Sequence, residues 1–260
     1  MAMLFPRAFY AEHDGENFTD YWEGPMIAHP NTILLAVVVG PSPAISGPPG
    51  ITWYPCGGSG RLKLFYALPI DIPEPEWGHE RDPEYKMEFT ARAALIQAFG
   101  DIDTTIGVGG MVNFASGSGT SPFGTGLPDT AYKEVISNGG LSYNKIVKLV
   151  AANMYHSSAG RRGIYTIPNC AIVFGDLTGL SIVDGNYRYF PDGFPSPPPD
   201  LQEVDEFYLA HGEFDGCGPF AQDFEARSDS SSPPGSYDLA MVYFVRTSSD
   251  TCPPGGTGPT

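Results

Sequence analysis

Short apolar segments, separated by glycine and proline, form the main pattern along this chain. Residues 32–39 read TILLAVVV, and such a continuous, largely β-branched run predicts a strand that is covered on both faces. Residues 61–72 instead alternate, with Leu62 and Leu64 on one side and Lys63 on the other, so we expect one face of that strand to lie in solvent or against a partner. Further strands are predicted over residues 101–114, 164–174, 180–190 with a turn at 184–186, 204–210 and 237–247.

Helices are predicted in three places. Residues 84–99 carry few β-branched side chains, and they follow Asp82 and Pro83, which suit the cap and the first position of a helix. A short helical pair is predicted over residues 130–138 and 142–156. In the second of these, apolar residues recur at the four-residue spacing of a helix face: Ile146, Val150 and Met154.

The chain contains 32 glycines and 26 prolines among 260 residues, concentrated between the predicted elements. Long connections are therefore expected over residues 40–50, 69–83, 115–128 and 191–199. The pattern predicts a β-rich α+β fold: an antiparallel β-sandwich or barrel with one main helix, a short inserted helical pair and long Gly/Pro loops. We expect a single β-rich domain over residues 1–247, with a candidate internal boundary near 191–199, and a Pro/Gly tail over 248–260.

The formal net charge of −16 argues against a nucleic-acid reader and against binding to anionic membranes, because both carry negative charge. Acidic side chains are concentrated in residues 192–238 and basic ones in residues 130–165. Patches of opposite sign suit head-to-tail contacts between identical subunits, but they also suit two surfaces that pack against each other within one chain. The residues that would make subunit contacts are Lys145, Lys148, Arg161, Arg162, Asp205, Glu206 and Asp215.

Targeting signals and cysteine spacing bear on the cellular setting. No secretory signal is expected, and the longest apolar run, residues 33–39, is far too short for a membrane helix. The four cysteines lack the spacing of a metal site, and neither a metal nor a cofactor is predicted. Without a secretory signal, we expect free buried thiols rather than disulfides at Cys56, Cys170, Cys217 and Cys252.

Motifs for catalysis are weak. No segment matches a phosphate-binding loop, and the Gly-Ser runs match a serine nucleophile motif only loosely. Two clusters combine histidine with carboxylates, which are residue types that act as acid and base: residues 12–14, and His211 with Glu213 and Asp215. A carboxylate-dependent hydrolase stays open as one alternative, although no catalytic residue is predicted.

Aromatic residues in Pro-rich loops indicate another alternative. Trp22, Trp53, Tyr54 and Trp77 lie in or beside such loops. Exposed aromatic rings stack on sugar rings and bind peptides, which predicts a carbohydrate- or receptor-binding module with a glycan as ligand. The competing interpretation is that these rings hold the loops against the core.

The combined features favour a structural or interaction subunit of a large assembly. Only 17% of residues are charged, the loops are long, and the charged patches have opposite signs. A viral or phage virion component, such as a capsid, decoration, tail or fibre protein made in the cytoplasm, fits these features best. Its partners would be copies of itself or other subunits of the particle.

Overall fold

The computed structural model of the chain describes residues 4–12, 17–23, 25–106, 114–115, 119–120, 142–156, 163–166, 171–175, 180–183, 186–189, 204–217, 225–228 and 236–253. Strands dominate this part of the chain, and its one helical element is a 3-10 turn at Pro83–Tyr85. All strand pairings among these residues are antiparallel. The predicted β-rich class is therefore confirmed.

The strands are β1 (Leu4–Glu12), β2 (Asn17–Tyr21), β3 (Ile33–Val39), β4 (Ala44–Ser46), β5 (Tyr54–Ser59), β6 (Leu62–Ala67), β7 (Lys86–Thr90), β8 (Ala93–Phe99), β9 (Phe114–Ala115), β10 (Gly119–Thr120), β11 (Lys145–His156), β12 (Gly163–Thr166), β13 (Ala171–Gly175), β14 (Leu180–Val183), β15 (Asn186–Tyr189), β16 (Val204–Asp215), β17 (Glu225–Ser228) and β18 (Ser236–Val245). A central sheet has the order β1-β8-β3-β6-β5, and a three-stranded sheet has the order β2-β7-β4. A six-stranded sheet has the order β10-β18-β11-β16-β13, with β9 also paired to β18. Two further pairs join β12 to β17 and β14 to β15.

The central sheet is covered on both faces. One face of β3, with Ile33, Leu35 and Val37, packs in a core shared with β11 and β18 of the six-stranded sheet. The opposite face of β3, with Leu34 and Ala36, packs in a second core shared with β2 and β7 of the three-stranded sheet. The three sheets are thus stacked as layers, which is why β3 is apolar at every position and why its prediction as a strand covered on both faces is confirmed.

The alternating strand predicted over 61–72 is shorter and more buried than expected. It runs over β6, and Lys63 is exposed as predicted. However, Phe65 and Ala67 on the same face are buried in the second core. The expectation of a solvent-facing or partner-facing side is therefore wrong, because the chain's own three-stranded sheet covers most of that side.

The main helix predicted over residues 84–99 is wrong. The 3-10 turn opens this segment, and the rest forms β7 and β8, which lie in different sheets. Ala93, Ala94 and Leu95 suggested a helix, but β8 is covered on both faces, and burial between two sheets outweighs the weak strand propensity of alanine. Asp82 makes no side-chain cap hydrogen bond, and the turn that starts at Pro83 ends at Tyr85 without continuing into an α-helix.

The helix predicted over residues 142–156 is also wrong. It is β11, which lies between β16 and β18 in the six-stranded sheet. A spacing of four places Ile146 and Val150 on one face of a strand as well as of a helix, because four is a multiple of the strand period. The residues between them distinguish a strand from a helix, because Val147 and Leu149 are buried in the core on the other face of the strand. The predicted helix over 130–138 lies outside the described residues.

Other strand predictions have mixed outcomes. The 180–190 segment folds on itself as β14 and β15, and residues 204–210 and 237–247 fall on β16 and β18, as predicted. Residues 164–174 contain β12 and β13. Of the strand predicted over 101–114, residues 101–106 form a turn in which Ile102 is bridged to Arg246, and residues 107–113 lie outside the described residues. The predicted boundary at 191–199 lies outside the described residues.

A polar clasp of Asp101, Glu213 and Arg246 joins the central sheet to the six-stranded sheet. Asp101 follows β8, and its Oδ2 accepts hydrogen bonds from Arg246 Nε at 2.9 Å and Nη2 at 2.8 Å. Arg246 Nη1 donates to Glu213 Oε2 at 3.1 Å, and Thr247 Oγ1 donates to Asp101 Oδ1. Burial alone would raise the pKa of Asp101, but the hydrogen bonds from Thr247 and Arg246 and the Arg246 charge outweigh it and lower that pKa.

The prediction of free thiols is wrong for Cys217 and Cys252, while Cys170 lies outside the described residues. Cys217, after β16, and Cys252, in the C-terminal segment, form a disulfide with a Cα–Cα distance of 5.5 Å. The backbone N–H of Cys252 donates to the Ser142 carbonyl at 2.8 Å, so the start of the predicted tail is held beside β11. Cys56 is a free buried thiol, as expected, and burial raises its pKa to about 12. The pairing depends on tertiary proximity across 35 residues, which spacing alone does not reveal.

Candidate interaction site

Exposed apolar side chains mark the connection between β6 and β7. Leu68 is 51% exposed and Trp77 is 95% exposed, and both lie on this connection. Ile27, 64% exposed, lies on a neighbouring segment that is tied to it by paired backbone hydrogen bonds between Met26 and Ile72 at 2.8 and 2.9 Å. A further bond runs from the Ala28 backbone N–H to Asp71 at 2.8 Å. These contacts make the connection an ordered surface element.

Trp77 is held at the tip of a hydrogen-bonded turn. The backbone N–H of His79 donates to the Glu76 carbonyl at 2.9 Å, which closes a four-residue turn around Trp77 and Gly78. Gly78 has φ of +88°, a conformation that glycine adopts without a Cβ clash. The Gly78 N–H also donates to Glu80 Oε1 at 3.0 Å. The indole is therefore displayed by a defined backbone shape, and only 5% of its area is covered by the chain.

The rim of the Trp77 turn is acidic. Residues 74–84 contain five carboxylates against the single arginine Arg81: Glu74, Glu76, Glu80, Asp82 and Glu84. The hydrogen bond from the Gly78 N–H lowers the pKa of the Glu80 carboxyl group. His79 Nδ1 lies 2.9 Å from Asp82 Oδ2 and fixes the far side of the turn. The arrangement is an apolar anchor within a negatively charged surround.

The other predicted aromatic residues lie elsewhere and do not share a platform with Trp77. Trp22 and Trp53 are half-buried against the core between the central and three-stranded sheets. The Trp53 Nε1 donates to the Gly47 carbonyl at 2.7 Å. Tyr54 is 47% exposed and stacks on Tyr66 at a centroid distance of 5.2 Å, beside the core on the other face of the central sheet. Of these four aromatic residues, Trp77 is the one whose ring is almost fully exposed to a partner.

The predicted charged contacts are placed in different environments. Lys145 and Asp215 are paired in the register of β11 and β16, so two candidates of opposite sign occupy adjacent positions within one chain. Lys148 is buried, at 5% exposure, opposite Tyr243 of β18. The backbones of Asp205 and Glu206 lie on β16, while Arg161 and Arg162 lie outside the described residues. Their role in subunit contacts stays a prediction.

The histidine–carboxylate cluster on β16 is engaged in the fold. His211 is half-buried; burial lowers its pKa, and Glu213 acts in the opposite direction. Glu213 itself accepts the hydrogen bond from Arg246 in the polar clasp. Sequence reasoning missed this role because the acidic and basic partners are separated by 33 and 145 residues.

Metal ligands, membrane spans and similarity to known proteins add no further assignment. In the part of the chain that is described, His, Cys, Asp and Glu side chains do not form a group of three or more that could hold a metal ion. Among the described residues, no helix has the length and apolar character needed to cross a membrane. No protein-family model, curated protein or solved structure matches this chain.

Proposed function

We propose that this chain is a structural or interaction subunit of a large assembly, and that copies of it associate through the Trp77 turn. The observation that carries the proposal is the 95% exposure of Trp77 on an ordered turn. This indole contributes almost no buried area to the fold, whereas burying it against a partner is worth about 2–3 kcal/mol. Tryptophan is also the residue type most enriched among the residues that dominate binding energy.

Charge supports contact between identical copies. The Trp77 turn is acidic, and residues 130–165 carry the excess of basic side chains, including the described Lys145. The acidic turn of one copy and the basic segment 130–165 of the next carry opposite charge, which suits a head-to-tail contact of the kind that builds rings or filaments. Such a contact weakens as salt screens the charges.

The disulfide supports an assembly outside the reducing cytoplasm. Disulfides such as Cys217–Cys252 persist in secreted proteins, in the periplasm and on virion surfaces. A virion or phage surface component, made in the cytoplasm and completed in the particle, remains the class of assembly that we propose. Its stacked antiparallel sheets supply a rigid support for surface loops.

Sedimentation velocity across a range of concentrations tests the proposal. We expect the wild-type chain to self-associate at low salt and to dissociate as salt is raised. Trp77→Ala should weaken association at least about tenfold, the loss expected when an anchor of this size is removed. Tyr54→Ala, which removes an exposed aromatic ring from the other face of the central sheet, is the matched control and should retain association. A wild-type chain that stays monomeric at high concentration and low salt, or a Trp77→Ala variant that associates normally, contradicts the proposal.

A further inference from the structure

The outer face of the three-stranded sheet carries a grid of small polar side chains. In the strand register, Asn17 lies opposite Thr90, and Thr19 lies opposite Glu88, which in turn lies opposite Ser46. These side chains point away from the core, because the alternating residues of the same strands, Phe18 and Phe89 among them, are buried beneath. Neighbouring positions in such a grid are about 5 Å apart across strands and about 7 Å apart along a strand.

This face forms an open cleft of about 430 Å³, and aromatic rings lie beneath it. The Phe18 and Phe89 rings stack beneath it with a centroid distance of 4.7 Å. Both rings belong to the core that joins the three-stranded sheet to the central sheet. The strands that carry the polar groups are therefore anchored on a packed core, which reduces the backbone entropy lost on binding.

The cleft carries no unpaired charge, which suits an uncharged ligand. Its one carboxylate, Glu88, is paired with Lys86, whose Nζ lies 2.6 Å from Glu88 Oε1. The hydrogen bond and the charge of Glu88 raise the pKa of Lys86, and the opposite charges of the two side chains offset each other. The remaining polar groups of the cleft are hydroxyls and an amide, on a chain whose net charge of −16 repels anions at long range.

We propose that this cleft binds a neutral, polyhydroxylated ligand, namely an uncharged oligosaccharide. The hydroxyl and amide groups of Asn17, Thr19, Ser46 and Thr90 both donate and accept hydrogen bonds, as sugar hydroxyls do. Successive sugar units lie along the strands, and Glu88 accepts from a hydroxyl while Lys86 balances its charge. The site is separate from the Trp77 turn and adds ligand binding to the proposed assembly role.

Isothermal titration calorimetry of the full chain tests the cleft, with cellohexaose, maltohexaose, mannohexaose and chitohexaose as neutral probes and oligogalacturonate as the charged comparison. We expect at least one neutral hexasaccharide to bind, and oligogalacturonate to bind more weakly. The double variant Thr19→Val/Thr90→Val keeps side-chain shape and removes two hydroxyls, and it should weaken binding about tenfold or more. Asn17→Ala, at an exposed position, provides a second variant that leaves the core intact.

Trp77→Ala separates this site from the proposed assembly contact, since it should leave hexasaccharide binding unchanged. Urea midpoints show that each variant remains folded. The inference is overturned if none of the four neutral hexasaccharides binds at millimolar concentration, or if oligogalacturonate binds more tightly than all of them. It is equally overturned if the threonine and asparagine variants bind as wild type, or if Trp77→Ala abolishes the binding.

Discussion

Replacing Arg246 by methionine removes the centre of the polar clasp. The Arg246 side chain is 12% exposed, and its guanidinium donates three hydrogen bonds, two to Asp101 and one to Glu213. Methionine preserves much of the side-chain volume but leaves the two carboxylates without these donors. The clasp joins the end of β8 to the end of β18, so its loss weakens the junction between two layers.

The expected cost follows from how far the partners are from water. Breaking a fully buried ion pair costs about 3–5 kcal/mol, whereas exposed pairs are worth about 0–1 kcal/mol. Asp101 is 26% and Glu213 is 34% exposed, so water partly replaces the lost donors. We therefore expect Arg246→Met to lower the free energy of unfolding by about 2–3 kcal/mol.

Equilibrium urea unfolding, followed by tryptophan fluorescence and by circular dichroism, measures this cost. The matched control is Lys86→Met, because Lys86 and Glu88 form an ion pair that is 41% and 60% exposed. That variant should leave the free energy of unfolding nearly unchanged, because water solvates an exposed ion pair in both the folded and the unfolded state. The reasoning is refuted if the two methionine variants lose equal stability, since burial of the clasp would then have no energetic consequence.

Three further predictions concern the same fold. Because hydrogen bonds outweigh burial and lower the pKa of Asp101, its carboxylate stabilises the folded state above the ordinary aspartate pKa of about 4, and this contribution is lost as pH falls through the lowered value. Asp101→Asn should flatten the acid side of the stability–pH curve measured by urea unfolding. Gly60→Ala should lower the thermal midpoint more than Gly78→Ala does, although both glycines have positive φ. A Cβ at Gly60 would clash with the buried Asp238 carboxylate of β18, whereas a Cβ at Gly78 would have no atom within 4 Å. Replacing both Cys217 and Cys252 by serine should cost about 3–4 kcal/mol in urea unfolding, the entropy expected for a loop of this length.

The candidate site was only partly predictable. Trp77 was among the aromatic residues singled out, but nothing in the local sequence separated it from Trp22 and Trp53. All three lie near prolines, and the connection that carries Trp77 packs Ile72 into the same core as Trp22 and Trp53, so only the projection of its turn away from that core exposes Trp77. The polar cleft was missed because residues 86–90 were assigned to a helix, although their alternation of polar residues with Met87 and Phe89 is the pattern of a half-buried strand.

The order of residues was enough to predict a β-rich chain broken by glycine and proline, and to locate β3, β18 and the β14–β15 turn. Those features are local: β-branched runs and turn residues restrict the backbone wherever they occur. The partners of each strand, the disulfide and the polar clasp depend on contacts between residues far apart in the chain. Strand pairing in β8 and β11 overrode a helix-like local composition, because burial on two faces is a larger free energy than the propensity of a few alanines.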